Sequence, residues 1–423
     1  AAACGDDDDT GGTTTTAGTT TTGDGMDDLR GTTVTILTPE TDKELSDFRA
    51  AFNAFSAETG ITVEIEGTRD AADIITIRDE AGDPPDIFIF PQPGRIPDFV
   101  GKGSLQALPD DLLAKVNDNF DAGFIGLGTV DGTVYAIPNK ADLKSLVWYS
   151  PPVFAANNYS IPTTWDEMVA LGDQMVQDGL NAWCVGLGSG TATGWPFTDW
   201  MEDVMLRLHG PDVYDQWWKH EIPFNDPRVI ETAQFVMDFW SRPGYLQGGQ
   251  AATAGVVYAD AGLPVLDGTC GMHRQANFFF AQWPDGTTLG PEGEVNVFYL
   301  PTITDDFGDV TLTAGTLASA FNDRPEVWAV MDFIASTDYA ENRAANGGLL
   351  FPNVNMDVSA YPTGIEREMA TILQTASPQR FDASDLMPGA IGSGEFWTAA
   401  VDIVTGADIA ATLTRVEEVW QGL

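Results

Sequence analysis

The chain has 423 residues, a hydrophobic fraction of 43% and a formal net charge of −43 at pH 7. This length exceeds one ordinary hydrophobic core, so two lobes are expected. The charge disfavours nucleic acid and anionic lipid surfaces as partners, because both are themselves negative. With 63 acids against 20 bases, the surface suits high salt, where self-repulsion is screened. Salt adaptation is a hypothesis here, and an acidic secreted protein from an ordinary habitat is the alternative.

The first 31 residues are low in complexity and rich in Asp, Thr and Gly, so we expect a flexible tether. Cys4 follows three alanines, which resembles the end of a bacterial lipoprotein signal where the cysteine is lipidated. A stray cysteine is the alternative. No uninterrupted apolar run is long enough to cross a bilayer, so the only membrane contact we expect is this lipid. The other two cysteines, Cys184 and Cys270, form either an extracellular disulfide or two buried thiols.

Strand and helix patterns alternate from residue 32 to residue 90, which predicts an α/β lobe with a largely parallel sheet. Apolar residues recur at helical spacing in the helices and alternate in the strands. The predicted strands are 33–38, 61–66, 86–90, 295–300 and 311–321. The predicted helices are 44–58, 165–182, a segment around 195–209, 228–241, 325–336 and interrupted helices over the last eighty residues.

Enzyme chemistry has little support in the sequence. The three histidines, His209, His220 and His273, show no metal-binding spacing with each other or with a cysteine. The glycine-rich stretch 186–190 lacks the lysine of a phosphate-binding loop. Acidic residues are so numerous that no single pair indicates a glycosidase. We therefore expect no catalysis, no cofactor and no metal.

Aromatic residues on loops suggest a sugar site. Trp195 follows a Gly/Thr-rich loop and precedes a proline, and a rigid ring there suits stacking on the apolar face of a sugar. Acids such as Glu40 and Asp199, with the amide of Gln275, can accept hydroxyl hydrogens, and Arg274 can donate to oxygens. A packing role for Trp195 is the alternative.

Several segments, taken in order, resemble extracellular solute-binding proteins of carbohydrate importers, and most closely the alpha-glucoside-binding subunits. The matching segments after residue 32 are 144–149, 162–168, 182–190, 192–203, 270–276 and 380–390, closing on Phe396-Trp397. One departure is Ala314-Gly315-Thr316, where relatives commonly carry an aspartate. This departure affects the choice of sugar more than the class.

The resemblance implies a two-lobed Venus-flytrap fold whose lobes are discontinuous and joined by hinge strands. It also implies that Cys184 and Cys270 are paired. The expected lobes are 32–139 with 301–345, and 140–300 with 346–423. A ligand held in the cleft drives hinge closure, and the membrane permease subunits of an ATP-driven importer recognise the closed form. The protein is then an extracytoplasmic, lipid-anchored monomer.

The leading interpretation is capture of an alpha-linked di- or oligosaccharide. The rivals are the same fold binding a polyol, peptide or polyamine, a secreted glycosidase, and a structural surface protein. In the leading interpretation the tryptophans stack, the acids accept hydrogen bonds and Arg274 donates, although Asp385 also suits a helix cap. The predicted ligand-binding residues are Glu40, Gln92, Trp148, Trp195, Asp199, Arg274 and Asp385.

Overall fold

The computed structural model describes residues 29–375 and 378–423, so Cys4 and almost all of the expected tether lie outside the described residues. Its strands are β1 (Thr33–Thr38), β2 (Thr62–Gly67), β3 (Ile87–Phe90), β4 (Thr129–Val130), β5 (Thr133–Val134), β6 (Ile137–Leu143), β7 (Leu146–Tyr149), β8 (Asn181–Trp183), β9 (Cys270–Arg274), β10 (Asn296–Tyr299), β11 (Thr311–Ala320) and β12 (Gln379–Phe381).

The α-helices are α1 (Asp42–Ala51), α2 (Asn53–Thr59), α3 (Ala71–Glu80), α4 (Ile96–Gly101), α5 (Asp110–Asn119), α6 (Ala122–Leu127), α7 (Pro151–Asn157), α8 (Trp165–Gln177), α9 (Trp195–Trp218), α10 (Pro227–Trp240), α11 (Tyr258–Ala261), α12 (Pro325–Ile334), α13 (Thr337–Ala344), α14 (Gly364–Thr375), α15 (Ala383–Leu386), α16 (Trp397–Val404) and α17 (Ile409–Trp420). Short 3-10 turns span Pro93–Arg95, Gln250–Gly255, Leu263–Val265, Asn277–Gln282 and Val358–Ala360, and a π-helix spans Ala390–Phe396.

A six-stranded sheet organises the first lobe. Its order is β12, β11, β3, β1 and β2, with β6 also paired to β11. β1 pairs in parallel with β2 and β3, because α1–α3 carry the chain back between these strands. β11 runs antiparallel to β3 and β6. The predicted α/β lobe is therefore confirmed. Its sheet is parallel at β1, β2 and β3, as predicted, but it is mixed as a whole because β11 pairs antiparallel with β3 and β6.

A four-stranded sheet in the order β10, β7, β9 and β8 organises the second lobe. Aromatic rings fill the core around it; Trp183 and Trp200, for example, are buried with ring centroids 5.2 Å apart. The lobes are joined where β6 of the first sheet is followed, after Lys144 and Ser145, by β7 of the second. Among the described helices, none is long and apolar enough to cross a membrane.

Several predicted boundaries shift for identifiable reasons. The helix predicted over 44–58 is two helices, α1 and α2, that break at Phe52. The helix predicted over 165–182 ends at Gln177, a turn follows at 178–180, and β8 begins at Asn181. α9 extends past the predicted end, but Gly210 at φ 81° interrupts it just before Pro211, whose ring disfavours a continuous helix.

The segment after α13, expected in the second lobe, packs its apolar residues between 349 and 373 in a cluster that contains β1 and β3 and also Trp148, Cys184 and Cys270. It therefore contacts both lobes, and the expected lobe division stays a prediction. Leu350 also bridges to Ala141 on β6. These residues are held there because Leu349, Leu350 and Phe351 are buried in that core. In the second lobe, Cys184 and Cys270 form a disulfide with Cα atoms 5.8 Å apart, as the resemblance implied.

Candidate ligand-binding site

A cavity lies between the two sheets and contains about 1060 Å³ of empty space, counting the part that is open to solvent. This volume is of the size that holds a small-molecule ligand. Both lobes contribute to its wall, so a ligand inside it would touch both. The first-lobe and crossing-strand residues are Pro39, Glu40, Glu44, Arg69, Ala72, Asp73, Pro91, Gln92, Arg95, Lys140, Asp142, Ala314, Gly315 and Thr316. The second-lobe residues are Lys144, Ser189, Thr191, Ala192, Trp195, Tyr258, Phe278, Asp385, Ser393 and Trp397.

The first lobe supplies polar side chains from the loops at the carboxyl ends of its parallel strands. Glu40 lies two residues after β1, and Gln92 lies two residues after β3. In open α/β sheets this edge is where ligands bind. The sequence placed both residues on cleft-facing loops, and the structure places both on the cavity wall.

Three aromatic rings form one side of the cavity. The Trp195 centroid lies 5.1 Å from that of Tyr258 and 5.9 Å from that of Phe278, both edge to face. Gly194 makes this placement possible: its φ is 120°, and a Cβ there would lie 2.3 Å from the carbonyl oxygen of Trp397. Since only glycine accepts both conditions, Trp195 can begin α9 directly against the cavity.

Each of these rings has a basic side chain over it. The distances from the cation to the ring centroid are 5.3 Å for Arg69 and Tyr258, 5.4 Å for Lys140 and Phe278, and 5.5 Å for Lys144 and Trp195. Such distances allow cation–π attraction. The wall therefore alternates apolar ring surface with N–H donors, and its rings already have cations beside them.

The first-lobe bases are balanced by carboxylates. Arg69 Nη2 lies 3.3 Å from Glu44 Oε2, and Lys140 Nζ lies 3.8 Å from Glu44 Oε1 and 3.5 Å from Asp142 Oδ1. Burial acts to lower the pKa of Lys140, but the charges of Asp142 and Glu44 outweigh it and raise that pKa. Lys140 is therefore held as a cation at the cavity wall.

Glu40 is tied to the core of its lobe. Arg343 Nη2 donates to Glu40 Oε2 at 2.7 Å, and Arg343 Nη1 donates to the Tyr339 hydroxyl at 2.9 Å. Burial raises the pKa of Glu40, although Arg343 and Lys140 act to lower it. Glu40 Oε1 has no hydrogen-bond partner among the described residues. This oxygen is available to accept a hydrogen bond from a ligand.

A second ion network lies beneath Trp195. Lys144 Nζ donates to Asp199 Oδ1 at 2.8 Å and to Asp382 Oδ2 at 2.5 Å. Arg274 donates to Asp199 Oδ2 at 3.1 Å and binds Asp203. Burial acts to lower the pKa of Lys144, but Asp199 and Asp382 raise it well above its usual value. The network therefore holds the Lys144 ammonium in a fixed position over the Trp195 ring.

Two acids of this region have strongly raised pKa values. Burial and the charge of Asp382 raise the pKa of Asp385 well above its usual value, although the nearby Gln92 side chain acts to lower it. Burial and the same Asp382 charge also raise the pKa of Glu202. Carboxylate oxygens of Asp199, Glu202 and Asp382 lie within 4.8 Å of one another, a spacing that a metal ion can bridge. The Lys144 ammonium contacts two of them and supplies the positive charge there.

The cavity unites four of the seven predicted ligand-binding residues, namely Glu40, Gln92, Trp195 and Asp385. It excludes Trp148, Asp199 and Arg274. Stacking by Trp148 is incompatible with this structure, because its ring is 0% exposed and packs against Phe279 and Trp283.

The two charged residues that the cavity excludes support its wall instead of forming it. Both residues are buried; Asp199 binds Lys144 and Arg274, and Arg274 also binds Asp203, so their polar atoms are directed to the network. Sequence reasoning did not assign Arg69, Lys140 or Lys144, although Lys144 opens one of the matching segments. Tyr258 and Phe278 carried no signal that separates them from core aromatics.

The two lobes touch at the cavity rim. Asp70 Oδ1 accepts a hydrogen bond from Thr191 Oγ1 at 3.1 Å, and Arg69 stacks over Tyr258. These two pairs join the first lobe to the second at the cavity rim. The cleft is therefore closed at this part of its rim.

The fold and cleft define a solute-binding protein. A family model described as bacterial extracellular solute-binding protein matches residues 38–341. The chain belongs to this family, which confirms the class indicated by the sequence.

Two curated relatives align along nearly the whole chain. One is the osmoprotective compounds-binding protein GgtB of Synechocystis sp., 39% identical over 390 residues that cover 92% of each chain. Another is the alpha-glucosides-binding periplasmic protein AglE of Rhizobium meliloti, 37% identical over 407 residues that cover 94% of this chain and 88% of that protein. The bacterial solute receptor AcbH has a similar structure, with a TM-score of 0.80 at 18% identity over 92% of this chain and 98% of its own. At that identity the likeness concerns the fold.

Proposed function

We propose that this solute-binding protein captures an alpha-linked di- or oligosaccharide, such as a maltose-, trehalose- or sucrose-like glucoside, and delivers it to the permease of an ATP-driven importer. The observation that carries the proposal is the cavity wall, where Trp195, Tyr258 and Phe278 alternate with N–H donors and carboxylates. Sugars present apolar C–H faces and hydroxyl edges, and this wall offers a partner for each. The relative AglE, named for binding alpha-glucosides, supports the same ligand class.

The wall disfavours a polyamine or another cationic ligand. The cavity rings of Trp195, Tyr258 and Phe278 each already have a base within 5.5 Å, and a bound ammonium would compete with these bases. Two of the wall acids, Glu44 and Asp142, are already paired with Arg69 and Lys140, which reduces the negative charge that a polyamine would meet. A neutral polyhydroxylated ligand avoids this competition. The relative GgtB, named for binding osmoprotective compounds, leaves a polyol as the second candidate.

The test is calorimetric titration of the full chain in molar salt with maltose, trehalose, sucrose, glucose and maltotriose. We expect micromolar or tighter binding of one glucoside, and a loss of about 1–3 kcal/mol of binding energy in Trp195→Ala. Trp218→Ala is the control, because that ring is half-buried, hydrogen-bonds Asp215 at 3.3 Å and does not line the cavity. If none of these sugars binds while a polyol or spermidine does, the glucoside assignment is refuted.

We also propose that the protein acts without catalysis, as a monomer anchored through a lipid on Cys4. Slow turnover of an aryl glucoside would contradict the first point, and light scattering in solution tests the second. Mass spectrometry of the protein made in a lipoprotein-processing host tests the third, with Cys4→Ser as control. A mass without added acyl chains would overturn the anchor.

A further inference from the structure

Arg95 is a cavity residue that the sequence did not single out. It ends the 3-10 turn Pro93–Arg95 that follows β3. Its Nη2 donates to Thr76 Oγ1 at 2.8 Å, which fixes the side chain against α3. Across the cleft, a Cβ added to Gly389 would lie 3.0 Å from Arg95 Cγ, so the stem of the arginine packs directly on the second lobe.

Arg95 differs from the other three bases of the wall. Arg69, Lys140 and Lys144 each have a carboxylate within 4.0 Å and an aromatic ring within 5.5 Å. Among residues 29–375 and 378–423, Arg95 has neither kind of partner, and its Nε and Nη1 make no hydrogen bond. Its positive charge is therefore the least compensated one at the cavity wall.

The electrostatics of the site agree with this contrast. Burial lowers the pKa of Arg95, and the charges of Asp73 and Asp98 only partly oppose that effect. Gln92, Asp73 and Asp385 line the same cavity as Arg95. Burial and Asp382 raise the pKa of Asp385 well above its usual value, which favours its neutral form. Arg95 thus offers unpaired N–H donors at the cavity wall.

We propose that Arg95 is a specificity-determining residue that binds the ligand's second unit through its oxygen acceptors, and that it prefers a carboxylate there to a hydroxymethyl group. The inference rests on the proposed function and narrows its ligand class to glycosides with an acidic second unit. The unpaired N–H groups of Arg95 can donate to carboxylate oxygens, and such charge-assisted bonds are roughly twice as strong as neutral ones. The protein's net charge opposes an anion at long range, but salt screens that repulsion beyond about 10 Å at 0.1 M.

The test compares maltobionate with maltitol by calorimetry on the full chain. These two ligands share the glucosyl unit and differ at the end of an open-chain second unit, which is a carboxylate in one and a hydroxymethyl group in the other. We expect wild type to bind maltobionate about 10-fold more tightly, equivalent to about 1.4 kcal/mol. Arg95→Gln keeps a donor but removes the charge, so the two affinities should then agree within about twofold.

Arg78→Gln is the matched control. Arg78 lies on α3, the helix that Arg95 contacts through Thr76, but it pairs with Glu66 at the surface and does not line the cavity. Equal wild-type affinities, or a preference that survives in Arg95→Gln, would overturn the inference. The wild-type comparison needs no variant, so it remains decisive if Arg95→Gln fails to fold. If neither compound binds while one of the panel sugars does, only the inference about Arg95 is refuted. If none of the panel sugars binds either, the proposed function is refuted as well.

Discussion

Replacing Lys144 with methionine tests the ion network beneath the cavity. The ammonium contacts Asp199 at 2.8 Å and Asp382 at 2.5 Å, and all three groups are buried. In Lys144→Met, Asp199 keeps Arg274, but Asp382 loses its salt-bridge partner and retains hydrogen bonds from Ser384 Oγ and the Asp385 amide. Removing one partner of a buried ion pair costs about 3–5 kcal/mol, because a charge is left without compensation.

We therefore expect the free energy of unfolding to fall by about 3–5 kcal/mol near neutral pH, measured by urea titration. In wild type the pKa of Asp382 is lowered, since Lys144 and hydrogen bonds outweigh burial. Without the lysine, burial should raise that pKa above its unfolded value. The folded variant then binds more protons than the unfolded chain, so its deficit relative to wild type grows as pH rises and shrinks towards about pH 4.

The control is Lys115→Met, which removes an exposed ion pair of 2.6 Å with Asp332. That change should cost under about 1 kcal/mol. A loss below about 1 kcal/mol in Lys144→Met, or a deficit that does not change with pH, would refute the reasoning. The double variant Lys144→Met with Asp382→Asn should recover part of the loss, because the uncompensated charge is gone.

Three further outcomes follow from single features. Replacing both Cys184 and Cys270 by serine should lower the free energy of unfolding by about 2–5 kcal/mol, since the 86-residue loop is no longer closed; an unchanged denaturant midpoint would contradict this. Burial lowers the pKa of His273 to about 4. The unfolded chain therefore takes up a proton first as pH falls from about 6.5 to 4, and the free energy of unfolding should fall over that range. Urea titrations across the range should show that His273→Asn lacks this dependence. Gly194→Ala should cost at least about 2 kcal/mol and weaken ligand binding, because its Cβ would strike the Trp397 carbonyl, and thermal melting with calorimetry checks both effects.

Much of the fold could be predicted because its signals are local. β1, β3, α10 and β11 lie within a residue or two of their predicted bounds, since hydrophobic period and Gly or Pro breaks depend only on neighbours in the chain. The break at Phe52 was missed, because apolar spacing continues through it on one face.

The site was predicted less completely, because it depends on which side chains meet across the cleft. Glu40 and Gln92 were found from their positions after parallel strands, a rule of topology. Trp148 and Trp195 both have aromatic and polar neighbours in sequence, yet one is core and the other lines the cavity. Arg274 looked like a free donor, and only the packing of α9 on β9 reveals Asp199 and Asp203 as its partners.

The two-residue connection between β6 and β7 has a mechanical consequence. Ser145 Oγ donates to Asp203 at 2.6 Å and accepts from the Leu312 amide at 2.9 Å, while Lys144 is bound to Asp199. The crossing point is thus bonded to the second lobe through Asp203 and Asp199 and to β11 of the first sheet through Leu312, so residues beside this pivot move little when the cleft opens. The rim residues lie farther from this pivot, so the same rotation moves them through a larger distance. We therefore expect ligand to meet the Lys144 side of the cavity first and the rim contacts to form last.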